Sequence, residues 1–331
     1  MAKKPKVVVI GGGTGTSVVL TGLKALGKND LTAIVAVSDS GGSTGRLRDE
    51  FGFLPVGDLR QCLAALAHGE LEQEIRKVLL YRFAKGSGLK GHNLGNLILT
   101  ALEDLYASPG KAIEVASQVF RINGQVYPIT EKAVQLVTEY ADGTVRIGEH
   151  LLDDPKLGGQ KIIRVKISPH AQIYQQAAKS IKTADLIVLG PGDLYASLLP
   201  NTLVRGFKPA LQSSKAKFVY VVNLMTHYSQ THEMTAQAHL DEVVKYCQRR
   251  PDIVIVNDNH IPKSILQAYA KQKEYPVIDD LVSTKDTEVI RGDFLSAVKV
   301  SQVKHDQVAR SLLRHDGKKI ARVISQLVKG K

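Results

Sequence analysis

The 331-residue chain has no tryptophan, and its aromatic content is only 5%. Proteins that bind single-stranded nucleic acid stack bases on exposed aromatics along a basic groove, so this composition argues against nucleic acid as a partner. Cysteine is as scarce. Cys62 and Cys247 lie far apart and form no metal or redox spacing, which points to a reduced, cytoplasmic compartment. Long apolar runs are also missing. Val7–Ile10 and Leu186–Leu189 are four residues each, whereas a membrane span needs about 20 and a signal core at least about 7. The chain is therefore expected not to be transmembrane, and Lys3-Lys4-Pro5-Lys6 reads as a solubilising lead into a first strand.

Recognisable catalytic and metal signatures are lacking too. His227, His232, Glu233 and His239 do not form H-E-x-x-H, so no metal site is expected. Cys62 sits in an apolar helical pattern, and no Ser/His/Asp or Cys/His arrangement identifies catalytic residues. The net charge of +12 is concentrated at the ends. Residues 1–28 carry five lysines and no acid, and residues 301–331 carry eight basic residues against Asp306 and Asp316. The stretch 29–300 is nearly neutral, with 31 basic and 30 acidic residues. The basic tail reads as a solvated helix face that could dock an acidic partner or anionic membrane without forming part of a pocket.

What is present is an ordinary globular composition, 44% hydrophobic and 23% charged, with no internal repeat or low-complexity linker. Val7–Ile10 is a β-branched run followed by Gly11–Gly15 and a helical pattern through Val18, Val19, Leu23 and Leu26, stopped at Gly27. Leu31–Val37 is a second buried strand, ending in a glycine- and hydroxyl-rich loop over 38–45. Four helical patterns follow, at Leu59–Ala67, Leu71–Phe83, Leu94–Tyr106 and Lys111–Phe120. The period then changes to two: Gln135–Tyr140 and Thr144–Ile147 flank the hairpin turn Asp142-Gly143, and Lys161–Ile167 could join them.

From 172 the βα rhythm returns. Strands are expected at Asp185–Leu189, Lys217–Asn223, Asp252–Asn257 and Val277-Ile278, alternating with helices over 172–182, 233–248 and 263–272. One or two helices over 306–328 close the chain. The expected fold is a single α/β domain over 1–331, a doubly wound, mostly parallel Rossmann-like sheet with an inserted helical and β-hairpin part. Residues 6–56 and 172–300 form the sheet core, 57–170 the insertion, and 301–331 the basic C-terminal helices.

In an open parallel sheet, ligands bind at the carboxyl ends of the strands beside the switch in strand order. Three expected strands end in glycine-rich turns: Gly11, Gly12, Gly13 and Gly15; Gly41, Gly42 and Gly45; Gly190 and Gly192. Glycine lets backbone N–H groups approach a phosphate, and a following helix N-terminus adds about half a positive charge. Thr14, Thr16, Ser40, Ser43 and Thr44 add hydroxyl donors. The G-x-G-x-x-G spacing fails, because its last position falls on Thr16 or Val18, and no G-x-x-x-x-G-K-[ST] is present. An NAD(P) site stays open as an alternative, since Asp39 ends the second strand where a ribose-binding acid belongs.

Asp39 is the first candidate binding residue, for a ribose hydroxyl, a base edge or Mg²⁺, or else as a cap on the 41–45 turn. Arg46, Arg48 and Arg60 could clamp a diphosphate in bidentate fashion, Arg48 alternatively being solvated surface. Asp58 follows Gly57 as a candidate helix cap or ligand. His92, Asn93 and Asn96 stand at a helix start suited to a second phosphate or a sugar hydroxyl. Asp193, Asn201 and Asn223 are expected on the same sheet edge.

Six segments recur in this order in one family: GGGTGT, SDSGGSTGRLRDEFG, PVGDLRQCLAAL, GHNLGNLILTALEDL, LGPGDLYASLLPN and VVNLMTHYSQTHEMTA. By them the chain, from residue 6 to about 325, resembles the gluconeogenesis-factor (YvcK) family, a branch of the CofD-like superfamily. The superfamily is named for 2-phospho-L-lactate transferase, which moves a phospholactyl group from a guanosine diphosphate carrier onto a deazaflavin precursor with Mg²⁺. The YvcK branch is associated with cell shape and cell-wall synthesis on gluconeogenic carbon sources and with binding UDP-sugars, notably UDP-N-acetylglucosamine. The resemblance thus implies a UDP-sugar ligand, a homodimer, and cell-wall synthesis proteins as partners. It also implies Mg²⁺ with the nucleotide diphosphate. Two departures separate the chain from the transferases. Pro55-Val56-Gly57-Asp58-Leu59-Arg60 stands in place of S-P-D-L-D-T, and Gly95-Asn96-Leu97 in place of a Gly-Asp-x-Asp segment. Lost carboxylates and an added arginine favour a regulatory binding protein over a Mg²⁺-dependent transferase, which is the alternative.

Overall fold

The computed structural model describes residues 4–297 and 312–329. Among these, seven strands build the main sheet: β1 (Lys6–Gly11), β2 (Asp30–Val35), β3 (Gln125–Pro128), β7 (Leu186–Leu189), β8 (Lys217–Val221), β9 (Ile253–Asn257) and β10 (Glu288–Gly292). Three more, β4 (Gln135–Tyr140), β5 (Val145–Ile147) and β6 (Ile162–Ser168), form a small antiparallel sheet in the order β5-β4-β6. The main sheet runs β10-β9-β8-β7-β1-β2-β3, and each neighbouring pair is parallel. The order reverses between β1 and β7, so the switch point of this doubly wound sheet lies at the carboxyl ends of those two strands. Val7, Val9 and Ile10 of β1 are fully buried, as a strand covered on both faces requires.

The helices are α1 (Thr14–Leu26), α2 (Gly42–Phe51), α3 (Gly57–Leu66), α4 (Glu72–Leu80), α5 (Leu94–Tyr106), α6 (Pro109–Val119), α7 (Gln175–Thr183), α8 (Leu199–Thr202), α9 (Phe207–Ser213), α10 (Ala236–Cys247), α11 (Lys263–Ala270) and α12 (Gly317–Lys329). A π turn at Leu194–Leu198 leads into α8, and 3₁₀ turns at Glu149–Asp153 and Pro155–Leu157 connect β5 to β6. No helix among the described residues is long and apolar enough to cross a membrane.

Four features differ from the sequence expectation. The 38–45 stretch is a loop only to Gly41, whose extended backbone (φ −95°, ψ 160°) caps α2, so Gly42, Ser43, Thr44 and Gly45 are helical. Strand β3 lies inside the 57–170 stretch yet pairs with β2; at four residues it shows no readable period. Val277-Ile278 is not a strand, and Ile278 is 67% exposed; the edge position belongs to β10, whose half-exposed EVIRG lacks an apolar run. Finally, α12 is not simply a solvated face. Ile320, Ala321 and Ile324 are fully buried, and Gly317 meets α1 backbone so closely that a Cβ on Gly22 would strike its carbonyl. The expected helical stretch 306–311 lies outside the described residues.

Candidate functional site

The first and third glycine turns meet at the switch point. Gly15 packs on the Pro191 backbone, where a Cβ would collide with the Pro191 carbonyl. Gly192 N donates to Asn223 Oδ1 at 3.1 Å, while Asp193 is exposed beside it. The other side of the first turn closes onto α3. The Asp58 carboxylate accepts the Gly13 N–H, Thr14 Oγ1 donates to Gln61 Oε1 at 3.0 Å, and Gly12 packs against Ser197 and Asp58. Thr16 is fully buried, and its hydroxyl oxygen has no hydrogen-bond partner among the described residues. The helix α3 is capped at Val56 without a side chain, so Asp58 belongs to its first turn and is not its cap.

Around the second turn, Asp39 Oδ1 accepts the Gly41 N–H at 2.8 Å and the Thr44 hydroxyl also bonds its carboxyl group. A buried polar network then joins the N-termini of α2 and α5. Ser43 Oγ accepts from Asn93 N at 3.2 Å and Asn96 Nδ2 at 3.3 Å, and faces His92 Nδ1 at 3.2 Å. Asn96 Nδ2 also donates to Thr44 Oγ1 at 3.3 Å, and Asn93 caps α5 by accepting Asn96 N at 3.2 Å. Burial, then the nearby Arg46, lowers the His92 pKa and favours the neutral imidazole.

The arginines divide. Arg46 is exposed, with its guanidinium 3.4 Å from Lys90 O, and Arg48 pairs with its neighbour Asp49 at 2.8 Å. Arg60 is only 8% exposed and points Nη1 at Leu79 O, 3.3 Å away, yet its charge still favours ionised Asp39 and Asp58. Arg60 is thus placed behind the carboxylates and not on an open rim. Ser40 bonds His150, its hydroxyl 2.7 Å from Nδ1 and accepting the His150 N–H at 2.9 Å.

That contact brings in residues the sequence reading missed. The Glu149–Asp153 turn crosses from the small sheet to the carboxyl edge, placing Glu149 and Asp153 near Asp39, Asp58 and Asp193. Asp153 Oδ1 lies 3.5 Å from His227 Nε2, which is 3.7 Å from Glu274. Burial first, then Asp39, pushes Asp58 up to about 7. Burial, followed by Asp39, Asp153 and Asp58, raises Glu149 well above the ordinary range. Nothing in the irregular stretch 149–154 carries a motif; only its density of acids could have drawn notice. The donors at the start of α2 thus sit directly on Asp39, with Asp58, Glu149 and Asp153 gathered close to it. No group of three or more His, Cys, Asp and Glu among the described residues is arranged to hold a metal ion.

Comparison with known proteins agrees with the whole-chain motif pattern. The model of the family described as 2-phospho-L-lactate transferase CofD matches residues 7–295. The gluconeogenesis factor of Bacillus subtilis is 38% identical over 334 residues, covering 99% of this chain and 100% of that protein. The gluconeogenesis factor of Listeria innocua is 39% identical over 315 residues, covering 94% and 95%. A crystal structure of a UPF0052 family member from Bacillus halodurans superposes with a TM-score of 0.86 at 36% identity, over 98% of this chain and 100% of that one. Sequence and fold agree along nearly the full length, and the chain belongs to the CofD family, among the gluconeogenesis factors.

Proposed function

We propose that this protein is a cytoplasmic nucleotide-sugar-binding regulator, taking a ligand of the UDP-N-acetylglucosamine type and acting in cell shape and cell-wall synthesis during gluconeogenic growth. The observation that carries the reading is the α2–α5 junction. There the N-terminus of α2, with no side-chain cap, bonds Asp39 past the carboxyl end of β2, and the N-terminus of α5 joins it through Asn96 and Thr44. Helix N-termini and hydroxyls suit a diphosphate. The neighbouring carboxylates suit ribose and sugar hydroxyls, which donate hydrogen bonds. Control would act through ligand-dependent contacts with cell-wall synthesis proteins, from a homodimer.

Asp39 and Asp58 fit a Mg²⁺ ion that arrives with the diphosphate. Mg²⁺ keeps several waters and needs only one or two carboxylates plus phosphates, in keeping with a site lacking a complete protein cage. When bound, the ion neutralises phosphate charge beside these carboxylates.

Calorimetric titration with UDP-N-acetylglucosamine, UDP-glucose, GDP and NAD, with and without Mg²⁺, tests the reading. Micromolar binding of the UDP-sugar, lost in Asp39→Ala, supports it; absence of UDP-sugar binding refutes it. A transferase acting on a nucleoside-diphosphate-linked substrate is the second reading, favoured by the Asp39–Asp58 carboxylate pair. Robust product formation with Mg²⁺ would establish the transferase and displace the regulator. Binding of NAD alone would point to the dinucleotide alternative.

A further inference from the structure

Gly11, the last residue of β1, has a carbonyl that accepts from two other parts of the sheet edge. Ala36 N, on the segment leading to Asp39, donates to Gly11 O at 3.0 Å. Asn201 Nδ2 donates to the same oxygen at 3.2 Å. The same amide nitrogen reaches Ser197 O at 2.9 Å and Leu198 O at 3.3 Å, in the π turn that follows the third glycine turn. Leu198 in turn packs against Gly11, Gly190 and Gly192, and Ser197 against Gly12. Asn201 is fully buried in α8. Its side chain therefore ties Gly11 to the π turn after β7, and Ala36 N ties the same carbonyl to the segment after β2. Backbone hydrogen bonds fix the strands themselves but stop at Gly11, so this tie lies where the ladder ends and the glycine loop begins. π turns of this kind frequently mark functional sites.

We propose that Asn201 is a positioning residue, setting the backbone of the first glycine loop for the ligand diphosphate. The inference rests on the nucleotide-sugar reading and adds the residue that holds the loop. Asn201 touches no ligand; it acts through Gly11 and the π turn. Removing the amide leaves Gly11 O with its Ala36 bond and leaves the Gly15–Pro191 and Leu198 packing, but takes away the side-chain hydrogen bond that joins Gly11 to the π turn.

The test is Asn201→Leu, close in shape and unable to donate. Two readouts are compared with the unaltered protein: amide hydrogen exchange of Gly12 through Thr16, and affinity for UDP against uridine. Exchange about tenfold faster in the loop, with UDP affinity reduced about tenfold and uridine affinity unchanged, is the expected result. Unchanged loop exchange overturns the proposal whatever the affinities do. A loosened loop with UDP and uridine affinities falling together also overturns it, making Asn201 a general brace. If the unaltered protein fails to bind UDP while the variant loop loosens, the positioning stands and the nucleotide reading falls. Asn201→Ser, which withdraws the amide from Gly11 O but stays polar, gives the same readouts should the leucine variant fail to fold.

Discussion

Asp58 accepts a hydrogen bond from Gly13 while sitting close enough to Asp39 that the two carboxylates resist being ionised together. Burial is the larger cause of the rise in Asp58 from 3.8 to about 7, and Asp39 the next. A raised carboxyl pKa means the folded state holds a proton that the unfolded state has released. Stability from this group is therefore full below about 4 and lost as pH climbs to about 7. Asp58→Asn is expected to flatten that slope and raise the melting temperature at pH 8, the gain being on the order of 1–2 kcal/mol. Melting curves from pH 4 to 8 check it, and an unchanged slope would contradict the assignment.

Glu103 is a second such group, outside the site. It is 6% exposed on α5, accepts the Leu54 N–H at 3.1 Å, and is pushed up to about 7 by burial, with Glu131 adding repulsion. The sign is the same: protonation favours the fold, and stability declines from pH ~4.5 to ~7. Glu103→Gln keeps an acceptor for Leu54 and removes the charge. It should stabilise the protein at pH 8 by on the order of 1–2 kcal/mol and leave stability at pH 4.5 nearly unchanged, as chemical denaturation at the two pH values will read.

The docking of α12 on α1 predicts the outcome of truncation. The sequence alone read the basic tail as a solvated helix face. The structure buries Ile320, Ala321, Ile324 and Val328 instead, and α1 starts at the first glycine loop. A chain ending at residue 311 should lose on the order of 5–9 kcal/mol, at about 1.5–3 kcal/mol for each of the three large side chains Ile320, Ile324 and Val328. Gly22→Ala, which drives a methyl into the Gly317 carbonyl, should do part of the same damage. Denaturant midpoints of both variants measure this; a truncation with unaltered midpoint would show that the contact adds nothing.

The glycine turns, the hairpin around Asp142-Gly143 and the α5 span Leu94–Tyr106 were legible because each depends on local chemistry: tight turns, alternation, helical period and an Asn cap. The start of α2 was hidden because Gly-Gly-Ser-Thr-Gly has turn composition, and only the packing of Leu47 and Gly45 makes it helical. Strands β3 and β10 have too few residues or too little burial to show a period. At the site, residues on strand ends could be gathered by the parallel-sheet rule. Glu149, Asp153, His227 and Glu274 could not, since they meet only through the tertiary path of the β5–β6 connection and the loops after β8 and α11.

The central position of β1 also dictates an order of assembly. Val7 pairs with Leu31 on one side and with Leu186 on the other. During synthesis the β1-β2-β3 half can form early, while the other edge of β1, with its backbone N–H and C=O groups unpaired, waits for β7 to leave the ribosome. Over that interval the nascent chain presents an open strand edge, the kind of surface that invites misassembly with other chains. The third glycine turn reaches the first only when β7 has joined β1, so the carboxyl edge of the sheet is complete only after the two halves have been sewn together.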